Sequence, residues 1–171
     1  TIDQAEDNGY SRLADGDPDT FWKSNPYLDR RYTGEDRHPQ WLIADLGEKT
    51  PVNAIRISWG IPYAVRYSVQ YCDGEDQDLP DGYPEGQWRT FPEGMVTAGG
   101  GGDGILRLAP DARPARYLRV LLEASSASAP PGASDPRDAL GYAVRDVSMV
   151  SVRAAGELRA AGELRAAGER R

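Results

Sequence analysis

Three carboxylates and a hydroxyl crowd one bend near the start of the chain, Leu13-Ala14-Asp15-Gly16-Asp17-Pro18-Asp19-Thr20-Phe21-Trp22. Asp15, Asp17 and Asp19 are like charges within five residues. Holding them close costs Coulomb energy unless a cation, a hydrogen-bond network or water compensates. Gly16 supplies permissive backbone and Pro18 pre-sets φ for the bend. An oxygen-rich turn of this kind suits a hard cation. The spacing is not that of the helix-loop-helix calcium loop, which needs Gly at its sixth position and Glu at its twelfth. The same residues also read as a solvated acidic turn capping a buried Phe21-Trp22 pair.

The elements that must position this bend are strands. Trp41 to Gly47 is a compact apolar run ended by Gly, and Val52 to Trp59 alternates imperfectly between apolar and polar residues. Tyr67 to Tyr71 alternates more cleanly, with Ser68 and Gln70 between Tyr67, Val69 and Tyr71. Trp88 to Phe91, Ile105 to Leu108, Arg116 to Leu122 and Tyr142 to Val152 read as further strands. Residues 1 to 40 are turn-laden and carry one or two short strands. Asp73 to Gly86 is an acidic surface excursion, Gly99 to Gly102 a flexible loop, and Ser125 to Asp138 a long polar loop. About eight strands result, at the spacing of a sandwich.

Composition supports that class. The chain has 171 residues, enough for one good core, and its 19 Gly and 13 Pro make it rich in turns. With 4 Trp and 9 Tyr against 2 Phe, its aromatics mostly carry a polar handle, which suits strands and binding rims. An all-β sandwich or barrel is expected. The formal charge of -7 disfavours nucleic acid and anionic membranes as partners. Cys72 is the only cysteine, so the chain forms neither an internal disulfide nor a multi-cysteine zinc site. No run approaches a spanning helix, and the start Thr-Ile-Asp-Gln has no signal-peptide pattern. A chain opening on Thr1 is expected to be an excised or processed segment. No Ser/His/Asp order, phosphate loop or His-Glu-x-x-His run is present, so an enzyme is not expected.

After Val152 the sequence becomes Ala-Ala-Gly-Glu-Leu-Arg repeated almost verbatim. A six-residue period matches neither 3.5 nor 3.6, so Leu158 and Leu164 drift around a helix instead of forming a seam. Gly156, Gly162 and Gly168 each cost about 1 kcal/mol in a helix relative to Ala. The chain is therefore divided into a domain at 1–152 and a low-complexity tail or linker at 153–171, a frayed helix at best.

Four stretches, taken in order, resemble one family: Ala14 to Trp22, Gln40 to Gly47, Tyr63 to Tyr71 and Ala115 to Val120. The chain is similar to the discoidin or coagulation-factor V/VIII type C domains, which include galactose-binding-like carbohydrate-binding modules. The resemblance covers residues 1–152. It implies an eight-stranded jelly-roll β-sandwich whose ligand loops cluster at one end. It also implies a structural calcium (Ca2+) site. Asp15 and Thr20 would give side-chain oxygens, and Arg12 and Asp17 backbone carbonyls. The last strand would close the site with the Arg145 carbonyl and the Asp146 side chain. Asp146 stands where the family usually has Glu, one methylene longer.

In the sugar-binding relatives an aromatic ring stacks on the apolar face of a pyranose while polar side chains meet its hydroxyls. On this pattern the ligand-binding candidates are Lys23, Tyr27, Tyr32 and His38 in the first long loop, with Trp59, Tyr63 and Arg66 around the Gly60-Ile61-Pro62 turn. Lys23 replaces the His common in galactose binders. Trp41, Tyr67 and Tyr71 read as core or cross-strand packing, and Asp135, Arg137 and Asp138 as a salt-bridged turn. The resemblance implies a non-catalytic carbohydrate-binding module that attaches a larger secreted or surface protein to glycan. The alternative is a cell-adhesion or protein-binding domain of the same fold. Its partner would be a glycan or other cell-surface ligand, its location extracellular or at the cell surface.

Overall fold

The computed structural model describes residues 19–25, 40–74 and 88–152 in full, and the backbone alone of 158–163 and 165–166. The strands are β1 (Trp22–Lys23), β2 (Gln40–Val52), β3 (Ala54–Trp59), β4 (Ala64–Cys72), β5 (Arg89–Val96), β6 (Asp103–Arg107), β7 (Arg113–Ser125), β8 (Ala143–Val152), β9 (Leu158–Glu163) and β10 (Arg165–Ala166). One sheet runs β1-β8-β3-β6, with β9 also paired to β8, and the other runs β10-β2-β7-β4-β5. Every pairing is antiparallel. Among the described residues the body is the expected all-β sandwich, built from the eight strands β1 to β8.

Period-two alternation explains which face each strand buries. Ile55, Ile57 and Trp59 of β3 point inward while Arg56 is exposed. On β7 the inward set is Leu118, Val120 and Leu122, and Tyr117, Arg119 and Leu121 face out between them. Tyr67 and Val69 of β4, Phe91 of β5, Leu42 of β2 and Val144, Val147 and Met149 of β8 complete one continuous core. Tyr71 packs on Phe91 with ring centroids 4.4 Å apart, and Trp41 stands opposite Leu121 across β2 and β7. Both are the packing roles read from the sequence. On the outer face of the second sheet Arg119 donates to Gln70 at 2.7 Å and lies 4.5 Å over the Trp88 ring. Burial there pushes the guanidinium down to about 10, so it remains charged at neutral pH.

Two sequence expectations are corrected. The single strand expected over Val52 to Trp59 is two, because Asn53 turns the corner between β2 and β3. Its side-chain amide donates to the Val152 carbonyl at 2.6 Å and accepts from the Val152 N–H at 3.1 Å, substituting for a ladder partner. The tail is not a frayed helix. Its backbone is extended and pairs with both sheets, β9 along Ser148 to Val152 of β8 and β10 against Ala44 and Asp45 of β2. The physical reason lies in the repeat, whose glycines disfavour a helix and whose even period keeps one set of residues on one face of a strand. Among the described residues no helix is long and apolar enough to cross a membrane.

Candidate functional site: a loop rim at one end of the sandwich

The end of β1, the start of β2, and the β3–β4, β5–β6 and β7–β8 connections all lie at one end of the sandwich. Backbone hydrogen bonds tie them together. The Gly60 N–H donates to the Ala143 carbonyl, the Ala143 N–H to the Pro62 carbonyl, the Trp59 N–H to the Gly102 carbonyl and the Gly99 N–H to the Val65 carbonyl, all within 3.0 Å. Ser24 is buried and joins the first loop to the last: its N–H donates to the Tyr142 carbonyl at 2.9 Å and its hydroxyl accepts from the Tyr142 N–H at 2.8 Å. Loops tied in this way cost little ordering entropy when a ligand binds.

Tyr63 sits at the centre of this rim. Its N–H donates to the Ser126 hydroxyl at 3.1 Å, and its carbonyl accepts from the Ser126 N–H at 2.8 Å. Its half-buried ring lies directly against Gly101, where a Cβ would fall 2.7 Å from Cδ1. Gly101 also has φ +68, a left-handed conformation that favours glycine. The Ser126 hydroxyl, on the Tyr63 N–H, lies 2.8 Å from that of Ser128, so the two serine hydroxyls form a pair next to the tyrosine backbone. Sequence reading missed them, because nothing local links residue 63 to residue 126.

The other candidates distribute unevenly. Lys23 reaches the late loop, 3.4 Å from the Asp138 carbonyl and 3.5 Å from its carboxylate. Arg66 pairs with Glu123 at 3.0 Å, just inside the rim on β4. Asp135 caps the short 3₁₀ helix Pro136–Ala139 by accepting from the Arg137 N–H. The Arg137 side chain, hydrogen-bonded to that carboxylate, holds it down at about 2. This is the salt-bridged turn read from the sequence. Tyr27, Tyr32 and His38 lie outside the described residues.

Trp59 is not on the rim surface. It is 7% exposed and belongs to the core, tilted against Tyr67 with ring centroids 5.1 Å apart. That corrects its assignment as a stacking platform: β3 parity sets it on the same inward face as Ile55 and Ile57. The Trp59–Tyr67 pair instead forms part of the wall of an open cavity of about 220 Å³ beside the β5–β6 loop, lined also by Val96, Leu106 and Gly99 to Gly101. Burial raises the Tyr67 phenol above its ordinary value, and a hydrogen bond with the Trp59 side chain opposes that rise.

Of the six residues assigned to the cation, Thr20, Arg145 and Asp146 are described, and Arg12, Asp15 and Asp17 lie outside the described residues. The ladder between β3 and β8 slips at this point. Ser58 faces Asp146 and Trp59 faces Val144, which leaves Arg145 as an extra residue without a β3 partner. Such a bulge re-aims backbone and side chain. The β1–β8 register sets Trp22 opposite Val144, so two residues further back Thr20 is level with Asp146. A buried threonine hydroxyl, a bulged carbonyl and a carboxylate are hard oxygen donors of the kind calcium takes. These residues fit such an ion and would supply one wall of its site.

The sequence profile of the NedA-like, galactose-binding domain family, of F5/F8 type C, matches residues 12–120. The chain belongs to this family. Among solved structures, this galactose-binding-like domain is similar to chitosan-binding module 1 of a chitosanase/glucanase from Paenibacillus sp. IK-5, at 25% identity and a TM-score of 0.58, with 82% of this chain and 83% of that one covered. Module 2 of the same enzyme, solved in complex with chitotriose, matches at 22% identity and a TM-score of 0.58, covering 81% and 82%. A GH29 fucosidase from Ruminococcus gnavus, solved with fucose, matches at 17% identity and a TM-score of 0.50. There the alignment covers 81% of this chain but 21% of the fucosidase, so the fold also occurs as one part of a longer chain. No curated protein sequence matches.

Proposed function

We propose that this domain is a non-catalytic carbohydrate-binding module that attaches a larger secreted or surface protein to glycan, with Tyr63 as the stacking ring of its rim. The observation that carries the reading is the rim itself. In a galactose-binding-domain fold, hydrogen-bonded loops hold one half-buried aromatic ring against the Gly101 backbone, with the Ser126 hydroxyl on the Tyr63 backbone N–H and the Ser128 hydroxyl beside it. A pyranose offers an apolar C–H face and a belt of hydroxyls, and this set of groups complements both. The chitosan-binding modules of similar fold support the ligand class. The charge of -7 favours neutral or cationic glycans over polyanionic ones. Weak single-site binding becomes useful when the module is tethered to another domain, since linkage raises the effective concentration.

Calcium in this reading is structural. Thr20, Arg145 and Asp146, with Arg12, Asp15 and Asp17, would hold the ion and thereby fix the first loop against β8. The reading places no step of chemistry on it.

A glycan array probed with the intact chain tests the function. Saturable retention on a defined oligosaccharide, weakened by Tyr63→Ala in a domain that remains folded, is expected. No saturable retention on any glycan, or equal retention by Tyr63→Ala, would refute the assignment and favour a protein ligand or another surface.

A further inference from the structure

The tail carries an exact internal copy of its own strand. Leu158-Arg159-Ala160-Ala161-Gly162-Glu163 is β9, and residues 164 to 169 repeat the same six residue types in the same order. An earlier near-copy begins at Val152, which is part of β8 itself, so it is not free to pair there. Six is an even number. A strand shifted by one repeat therefore sets identical residues on identical faces, and the usual penalty of a register slip, the exchange of inner and outer faces, vanishes.

The edge that receives this strand is well defined. Val152 directs its N–H and C=O to the Asn53 side chain on the β3 side. Antiparallel strands alternate, so Ser151 turns its N–H and C=O to the opposite edge, where Arg159 is its registered partner. Left uncovered, Ser148 to Val152 would be a row of unpaired backbone groups, the template on which another strand assembles.

We propose that the Ser148 to Val152 edge of β8 is a strand-exchange site, whose alternative occupant is the Leu-Arg-Ala-Ala-Gly-Glu segment of a second copy of this chain. Two observations carry it: β9 is seated on that edge by backbone pairing, and its sequence is not unique within the chain. Five residues, 153–157, connect β8 to β9, and eleven would connect β8 to the second repeat. Loop-closure entropy alone then favours the first repeat by only about threefold. An intramolecular strand on so short a tether competes at an effective concentration of order 1 mM. Exchange between chains therefore becomes visible as the protein approaches that concentration.

Light scattering on the intact chain between about 10 μM and about 1 mM tests this. Average mass is expected to rise above the monomer toward the upper end. Arg159→Pro removes the N–H that faces Ser151, yet association persists because the second repeat, exchanging its two-residue β10 pairing with Ala44 and Asp45 for the longer β8 edge, takes its place. Arg159→Pro with Arg165→Pro disables both repeats and leaves a monomer throughout. In parallel, excess synthetic peptide bearing two tandem Leu-Arg-Ala-Ala-Gly-Glu repeats dissolves the wild-type association, and the same peptide with proline at each arginine does not. The peptide arm reads the wild-type chain and so does not depend on the folding of the variants. A wild-type chain that stays monomeric, a double variant that associates as readily as wild type, or equal action by the two peptides would overturn the proposal.

Discussion

Replacing Gly101 by Ala, with Gly102→Ala as its control, separates the positioning of Tyr63 from the cost of the loop backbone. Both glycines hold left-handed backbone, φ +68 and +70, so either alanine costs about 1–2 kcal/mol in conformational strain. They differ in what a Cβ meets. At 102 nothing lies within 4 Å, and at 101 the new carbon falls 2.7 Å from Cδ1 and 2.8 Å from Cγ of Tyr63. Carbon atoms pack at about 3.5–4.0 Å, so roughly 1 Å must be recovered. The tyrosine backbone is tied to Ser126 on both its N–H and its carbonyl, so the ring is the part that yields. A side chain driven about 30° off its rotamer costs about 0.5–1.5 kcal/mol. Gly101→Ala should therefore melt about 2–4 °C below Gly102→Ala, the shift that about 1 kcal/mol produces in a domain of this size. Lost stacking of about 0.5–1.5 kcal/mol would weaken glycan binding by about 2- to 12-fold in Gly101→Ala alone. Calorimetric titration with the best array ligand reads the affinity and scanning calorimetry the melt. Equal loss of affinity in both variants, or none in Gly101→Ala where Tyr63→Ala shows a loss, would refute the placement of the sugar on this ring.

Three further outcomes follow from other parts of the molecule. A chelator should lower the melting temperature of the intact chain, since an ion at 100 times its Kd stabilises the folded state by about 2.7 kcal/mol; identical melts with and without chelator, or an unchanged chelator effect in Asp146→Ala, would remove the calcium assignment. Asn53→Ala removes both bonds to Val152 and should cost about 2 kcal/mol at about 1 kcal/mol each, read as a lower urea midpoint with unchanged slope. The Asp135 carboxyl, held down by the Arg137 side chain, should titrate near 2 in a carbon NMR experiment and return to the ordinary range in Arg137→Ala. Because this folded-state value is depressed, its contribution to loop order is present above the ordinary carboxylate range and is lost as pH falls toward 2.

Much of the sandwich was legible because its strands carry their instructions locally. Tyr67 to Tyr71 and Arg116 to Leu122 alternate, and the structure buries one parity of each. What was not legible depends on partners far away in sequence. Asn53 looks like an ordinary strand residue until its amide meets Val152, 99 positions later. Ser126 and Ser128 acquire a role only because Tyr63 lies beside them. Trp59 was a different kind of failure, since the parity shared with Ile55 and Ile57 already pointed it inward. Reading it as a rim residue followed the turn beside it instead of the strand that contains it.

The tail was misread because its period was compared only with helical repeats. Six fits neither 3.5 nor 3.6, but it is a multiple of two, and a strand asks for nothing more. Its position bears on function. β9 meets β8 near the Asn53 corner, whereas Tyr63 and the loops around it occupy the opposite end of the sandwich. Strand exchange at β8 would thus leave every rim open, and chains linked in this way would present several sugar sites at once. Avidity would then rise with protein concentration without any new contact to glycan, and the Arg159→Pro, Arg165→Pro double variant should keep the single-site affinity while losing that gain on a densely substituted surface.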